Sequence, residues 1–334
     1  MPQLRQNLAT KEWVIIATER AKRPEDFKAE KSEKKLPEFS PNCPFCPGNE
    51  VNTPGETLRI TDKNGNWKIR IVPNKFPALD KEAKSFREQN HIFRTAGGYG
   101  YHEVLIETPK HNLTTALLPE EEIKNIITSY AGRYREIESD KKIHSAVIFK
   151  NHGAGAGTSL EHPHHQIVGM PVVPLQVRSR LEEAQRYYDD TGECVYCRMI
   201  EEELKAKERI ILENRSFVVF TPFAAFSPFH TWILPKRHHA SFRDISDTEI
   251  GDMAKALRIF LRKFYFGLNN PDFNYVIRSA PSDGRGLAYF HWYLSIVPRL
   301  TKTAGFELGS GMFINVSLPE ENARFLRDYK LPAD

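Results

Sequence analysis

Residues 151–171 read NHGAGAGTSLEHPHHQIVGMP. Three histidines in four positions, His162-Pro163-His164-His165, lead directly into an apolar run. Side chains alternate faces along a strand, so His162, His164 and Gln166 share one surface and His165 takes the other. Gly153, Gly155 and Gly157 in the preceding turn let backbone N–H groups come close to an anionic oxygen. Ser159 adds a hydroxyl donor. This assembly suits attack on a phosphate. Neutral imidazole is nucleophilic near pH 7, and the surrounding donors can hold the phosphate oxygens as charge builds. A His-rich loop that only binds metal is the competing reading. The glycines lack the Gly-Lys-Ser/Thr ending of a P-loop.

All four cysteines fall in two C-x-x-C pairs, Cys43/Cys46 and Cys194/Cys197. Such a pair places two thiolates on one tight turn, and tetrahedral zinc needs two further N or S ligands. His111 and His162 complete the first set, and His238 and His291 the second; His239 is the alternative to His238. Neither pair has the strand-to-helix setting of a thioredoxin-like redox site. With all four positions filled, both zinc sites read as structural.

These residues need elements to hold them. Strands are expected at 12–20, 67–73 (WKIRIVP), 102–108 (HEVLIET), 144–150 and 166–173. In the second half they are expected at 209–212, 217–221, 230–234, 273–278 and 291–297. Residues 119–139 carry Ile123, Ile126, Ile127 and Tyr130 at helical spacing behind an acidic first turn. Further helices are expected at 174–190, 199–207 and 247–266. The Lys/Glu-rich stretch 21–41 reads as a surface excursion.

The order repeats. Each half runs C-x-x-C, strands, a Pro-Lys-(x)-His segment, a long helix, a strand, a Gly-containing turn and a His-led strand ending in proline. The histidine-to-histidine separation nearly matches, 111 to 162 against 238 to 291. The expected fold class is therefore α+β, with one unit over 1–173 and another over 174–334. His102 and His230 occupy equivalent places and read as satisfied strand histidines. Glu161 reads as either a histidine orienter or a solvated carboxylate.

The composition fits an ordinary globular chain of 334 residues, 40% hydrophobic and 27% charged. A net charge of +4 with no basic stripe argues against nucleic acid. No apolar run is long enough to span a bilayer, and the start has no signal-peptide pattern. The expected compartment is the cytoplasm.

His162-Pro163-His164-His165-Gln166 resembles the H-P-H-x-Q signature of the galactose-1-phosphate uridylyltransferases, a branch of the histidine-triad superfamily. The likeness extends over most of the chain. It implies two tandem histidine-triad-like domains, each an antiparallel sheet with a long helix, forming one pseudo-symmetric unit. His164 is then the nucleophile that takes the nucleotidyl group, with Gln166 beside it. Asn151, Gly157, Ser159 and Gln166 stand where the family binds the nucleotide and its α-phosphate. Arg20-Ala-Lys-Arg23-Pro24 resembles its R-A-K-R-P segment, which reaches the nucleotide sugar, and Asn74-Lys-Phe76 its nucleoside-binding N-x-F. Cys43, Cys46, His111 and His162 match its first metal site.

The superfamily's H-x-H-x-H-φ-φ-P-R lines up with His291-Trp-Tyr293-Leu-Ser295-Ile-Val-Pro298-Arg299. Tyr293 stands at the nucleophile's place, which implies a metal-stabilised but catalytically silent copy. Gly305-Phe306-Glu307-Leu308 resembles the segment whose Glu contacts the hexose. Phe313 replaces the Gln of the best-known branch, and residues 305–315 look more like a second branch. That branch carries the second C-x-x-C and includes a plant ADP-glucose:phosphate adenylyltransferase. The leading expectation is UMP transfer from UDP-glucose to a hexose 1-phosphate, in galactose metabolism, by a zinc-containing homodimer. The alternative is an ADP-glucose or dinucleoside polyphosphate phosphorylase. The expected partners are a nucleotide sugar and a sugar 1-phosphate, with no nucleic acid and no membrane.

Overall fold

The β-branched runs and the helical stripes build a sheet backed by two long helices in a computed structural model, which describes residues 1–17, 23–28 and 36–333. Strands β1 (Gln3–Gln6) and β2 (Trp13–Ile16) come first. β3 (Leu58–Thr61), β4 (Trp67–Pro73), a small hairpin of β5 (Arg87–Asn90) and β6 (Phe93–Ala96), and β7 (Tyr101–Ile106) follow. Helix α1 (Glu120–Ser139) leads to β8 (Ser145–His152) and β9 (His164–Met170). The second half contains α2 (Leu175–Thr191), α3 (Val195–Ala206), β10 (Ile210–Glu213), β11 (Phe217–Phe220) and β12 (Thr231–Pro235). It continues with α4 (Asp247–Gly267), β13 (Phe273–Arg278) and β14 (Tyr293–Pro298). The chain closes with α5 (Gly305–Ser310), β15 (Phe313–Asn315) and α6 (Pro319–Asp328).

Ten strands form one antiparallel sheet in the order β10-β11-β12-β14-β13-β8-β9-β7-β4-β3. The five strands of one half mirror the five of the other. The mirror lies between β8 and β13, where Phe273 faces His152 and Val276 faces Phe149.

The α1 stripe lands as expected, with Ile123, Ile126, Ile127 and Tyr130 at 1% exposure or less. These residues share one core with Leu257, Phe260 and Phe264 of α4 and with Ile148, Ile167, Ile277 and Ile296 of the sheet. Burial of apolar surface therefore couples the halves directly. α4 begins with a capping box, in which Ser246 and Glu249 satisfy each other's backbone N–H groups.

The ends depart from the expected layout. β1, β2 and β15 form a separate sheet, with β15 parallel to β2. Arg5 ties this sheet to the second half through the Phe223 carbonyl (3.2 Å) and Glu320 (2.8 Å). Residues 3–16 thus lie in space with the second half. The strand expected over 12–20 forms over Trp13–Ile16 and pairs over four residues, and residues 18–20 lie outside the described residues. The helix after the second cysteine pair starts earlier than expected because Cys194 itself is its N-cap residue. Among the described residues no helix is long and apolar enough to cross a membrane.

Candidate active site and metal centres

The turn Cys43-Pro-Phe-Cys46 is closed by a Cys46 N–H bond to the Cys43 carbonyl (3.2 Å). It brings both sulfurs to His111 and His162, and the four ligand atoms lie within 4.8 Å of one another. All four residues are buried. The imidazoles face Cys46 through Nδ1, at 3.6 Å each. His162 uses its Nε2–H on the Thr108 carbonyl (2.8 Å), which fixes the tautomer and leaves Nδ1 as a free ligand. Burial pulls the His162 pKa down to about 4, so the ring is neutral as a ligand must be. Cys194, Cys197, His238 and His291 form the second cluster within the same limit. His238 is the residue placed there. His239 instead accepts the Trp292 indole N–H (3.0 Å). Two sulfurs and two imidazoles at this separation suit a tetrahedral metal ion in each cluster.

His164 stands two residues beyond the first cluster. Its Nδ1–H donates to the His162 carbonyl (2.9 Å), leaving Nε2 with an available lone pair. Burial lowers its pKa below the ordinary histidine value, which keeps the ring neutral. Phe45, between the two cysteines, sets its ring edge-on against His164 at 5.5 Å. The metal turn and the nucleophile candidate are thus packed as one unit.

Gln166 is held by His102. The Ala78 N–H donates to His102 Nδ1 (3.0 Å), so that ring carries its proton on Nε2. That N–H faces Gln166 Oε1 at 2.8 Å, so the amide NH2 of Gln166 remains available as a donor. The Asn74 amide lies 3.2 Å from the same Nε2, and its oxygen accepts the Phe76 N–H (2.9 Å). His102 is a satisfied strand histidine, as expected, and its Nε2–H holds Gln166 in the candidate site. Phe76 is 83% exposed and presents a free aromatic face.

Behind β9, His165 belongs to a buried polar network that sequence reasoning missed. Glu107 contacts His165 and takes bonds from Lys150 (2.9 Å) and Thr115 (2.9 Å). His165 meets the Tyr275 hydroxyl (2.9 Å), which meets that of Tyr130 (2.7 Å). Burial alone would raise the Glu107 pKa. Lys150 and His165 reverse this and hold its carboxyl well below the usual range.

The glycine turn requires a correction. A Cβ on Gly153 would sit 2.0 Å from an Asp272 oxygen, and the Gly155 N–H already donates to Asp272 (2.6 Å). That close approach serves a carboxylate of the chain itself. Asn151 is braced through its oxygen by the Asn274 amide (2.7 Å), and Asn274 also bonds the Ala156 carbonyl (2.9 Å) and Arg299 (2.5 Å). The second half therefore supports the first half's loop. Gly157 adopts the left-handed conformation (φ 85°), and Ser159 is exposed.

Arg23 is exposed at the start of a short 3-10 turn, and Arg20 lies outside the described residues. Glu307 caps its own helix by accepting the Ala304 N–H (3.0 Å), and no hydrogen bond joins it to the His164 group. Glu161 lies 4.0 Å from His111 while half exposed, consistent with a loop carboxylate near the metal cluster.

Comparison with known proteins gives the same picture. The family model "Galactose-1-phosphate uridyl transferase, N-terminal domain" matches residues 1–174, and its C-terminal counterpart matches 180–308. The chain is 38% identical to ADP-glucose phosphorylase of Arabidopsis thaliana, covering 99% of this chain and 93% of that protein. It is 30% identical to galactose-1-phosphate uridylyltransferase of Haemophilus influenzae, covering 91% and 85%. A crystal structure of an Arabidopsis ADP-glucose phosphorylase with bound ADP-glucose superposes with a TM-score of 0.84 at 34% identity, covering 99% and 100%.

Proposed function

From the premise that the chain belongs to the galactose-1-phosphate uridyl transferase family of nucleotidyltransferases, we propose that it moves a nucleotidyl group through His164. The observation that carries this reading is the proton arrangement on that ring, with Nδ1–H committed to the His162 carbonyl and Nε2 open. Nε2 attacks the α-phosphorus of a nucleoside diphosphate sugar. The bond to the bridging oxygen breaks, and hexose 1-phosphate leaves with that electron pair. The nucleotidyl–imidazole formed is cationic, and the His162 carbonyl stabilises the Nδ1 proton throughout. A phosphate oxygen of the acceptor then displaces Nε2. It is already ionised, so the second step needs little general-base help.

Gln166 and Asn151 donate to the non-bridging oxygens as charge builds. Asn74 and Phe76 receive the nucleoside, and Ser159 and Gly157 border the phosphate. Cys43, Cys46, His111 and His162 would hold one zinc, and Cys194, Cys197, His238 and His291 a second. Zinc supplies rigidity at both places. The second half is the catalytically silent copy, and the 1–173 and 174–334 division reflects a duplication. In a homodimer, Arg23 and the Glu307 helix would serve the partner's sugar subsite.

The family reading gives UMP transfer from UDP-glucose to a hexose 1-phosphate. A specific observation favours a second version, transfer of AMP from ADP-glucose to phosphate. The identity to the Arabidopsis phosphorylase exceeds that to the uridylyltransferases named above. One experiment tests both. Incubation with α-labelled UDP-glucose or ADP-glucose should leave acid-labile label on wild-type protein and none on His164→Gly. The nucleotide that labels identifies the base. No label from either sugar would overturn the covalent mechanism.

A further inference from the structure

The mirror in the sheet matches the two halves residue by residue. In the first half Gln166 faces Val104 on β7 and Phe149 on β8. In the second, Ser295 faces Trp232 on β12 and Val276 on β13. Ser295 is therefore the counterpart of Gln166, and Tyr293 that of His164. Counting along β7 and β12 pairs His102 with His230. Counting along β8 and β13 pairs Asn151 with Arg278, which sits opposite Tyr293. A hydrogen bond recurs at the matched place with its direction reversed: the Ser295 hydroxyl donates to His230 Nε2 (3.0 Å), whereas His102 Nε2–H donates to Gln166 Oε1.

These counterparts line a recess with a volume of about 30 Å³. Arg180 from α2 also lines it, and the N-terminal hairpin contributes Glu12. The space exceeds the ~10–15 Å³ that one water needs and falls far short of the ~300 Å³ or more of a nucleotide-sized pocket. Its polar atoms are mostly donors. His230 Nε2 accepts the Trp232 indole N–H (3.0 Å), so the ring proton is on Nδ1. That N–H is buried without a partner, and so is Nε of Arg180. Arg278 is desolvated and lies close enough to Arg180 for each charge to oppose the other. Both guanidiniums are half-buried, and Glu12 alone supplies a carboxylate that favours the charge on each, so two positive groups share one negative group. Glu12 is exposed and engaged by the Thr10 hydroxyl (2.9 Å).

We propose that this recess is a second anion site, which takes one inorganic phosphate ion between Arg278, Arg180 and the Nδ1–H of His230. Inorganic phosphate carries no nucleotidyl group for Tyr293 to take, so the ion is bound without being transferred. The inference rests on the sheet register and the recess, and not on the transfer chemistry.

Equilibrium dialysis of radiolabelled inorganic phosphate against the full chain tests it. In Asn151→Ala, which removes a donor from the first half's site and leaves every residue lining the recess in place, one phosphate per chain should remain bound. In Arg278→Gln that phosphate should bind at least about tenfold more weakly, because a charged hydrogen-bond partner is lost. Arg180→Gln should weaken it in the same direction, and serves as the measurement if Arg278→Gln does not fold by circular dichroism. Glucose 1-phosphate should not displace the label in Asn151→Ala, since the recess excludes the sugar. Absence of the site in Asn151→Ala, unchanged binding in either arginine variant, or displacement by glucose 1-phosphate would each overturn the proposal. Loss of nucleotidyl labelling at His164 would leave it standing.

Discussion

The two halves of the sheet present the same ladder with different chemistry on it. At matched positions the first carries Asn151, His164, Gln166 and His102, and the second Arg278, Tyr293, Ser295 and His230. Both have a Cys2His2 cluster beside the strand. Only one has an imidazole at the position where Nε2 stays open. The cysteine turn and the sheet register therefore fix a matched place in each half, and the side chain on it differs, an imidazole at His164 and a phenol at Tyr293. The first cluster is fully buried, whereas His238 of the second is exposed, so the two clusters should also differ in how readily they release a metal.

The strongest way to break this comparison is to exchange its central residues. His164→Gly should lower turnover by at least about 10⁴-fold, as loss of a nucleophile does. Tyr293→Phe should change turnover by less than about twofold. Steady-state rates with the labelling sugar compare the two, and a large Tyr293 effect would mean that the second half takes part in the reaction. Next are the clusters. Cys43→Ser should abolish activity and lower Tm, since its turn carries Phe45 against His164. Cys197→Ser should lower Tm while leaving kcat within about threefold. Metal content with thermal melts reads both.

Gln166→Ala should cost about 10²–10³ in kcat, the usual price of losing one donor to a developing charge. His102→Phe should cost less, about tenfold, and show mainly in kcat because it releases the Gln166 amide without removing it. His102→Asn should recover part of the loss; equal loss in both variants would assign His102 a purely structural role.

The smallest effect is on the pH dependence of stability. His165 titrates at about 4 and His230 at about 3 in the folded chain, both lowered chiefly by burial. The unfolded chain binds protons on these rings near pH 6.5 and the folded chain does not. Stability is thus complete above 6.5 and falls as pH drops toward 4. Glu107, held low by Lys150 and His165, adds a loss of the same sign below the ordinary glutamate value. Calorimetric Tm from pH 7.5 to 4 should fall steadily, and less steeply in His230→Asn.

Much of the candidate site can be read along the chain because its signals are local or periodic. The two cysteine pairs, the spacing of His111 to His162, and the stripe Ile123–Ile126–Ile127–Tyr130 each announce their partners. Other features depend on pairing across the mirror. Asp272 fills the glycine turn only because β13 lies beside β8, and nothing near Gly153 specifies that. Lys150, His165 and Tyr275 come from three strands and Glu107 from the residue just past β7, so their network exists only once the sheet order is known. The two histidines 102 and 230 were placed correctly as equivalents, but their hydrogen bonds to Gln166 and Ser295 depend on strand register. Residues 313–315 are too short a stretch to signal that they pair with Val14, Ile15 and Ile16.

That last pairing has a consequence for synthesis on the ribosome. β2 emerges about 300 residues ahead of its parallel neighbour β15. At about 5–20 residues per second, the first hairpin waits tens of seconds for the edge that covers it. Trp13 and Leu4 remain partly exposed even in the finished fold. During that interval the nascent β1–β2 hairpin offers an unpaired strand edge, and a chain interrupted before residue 313 would never cover it.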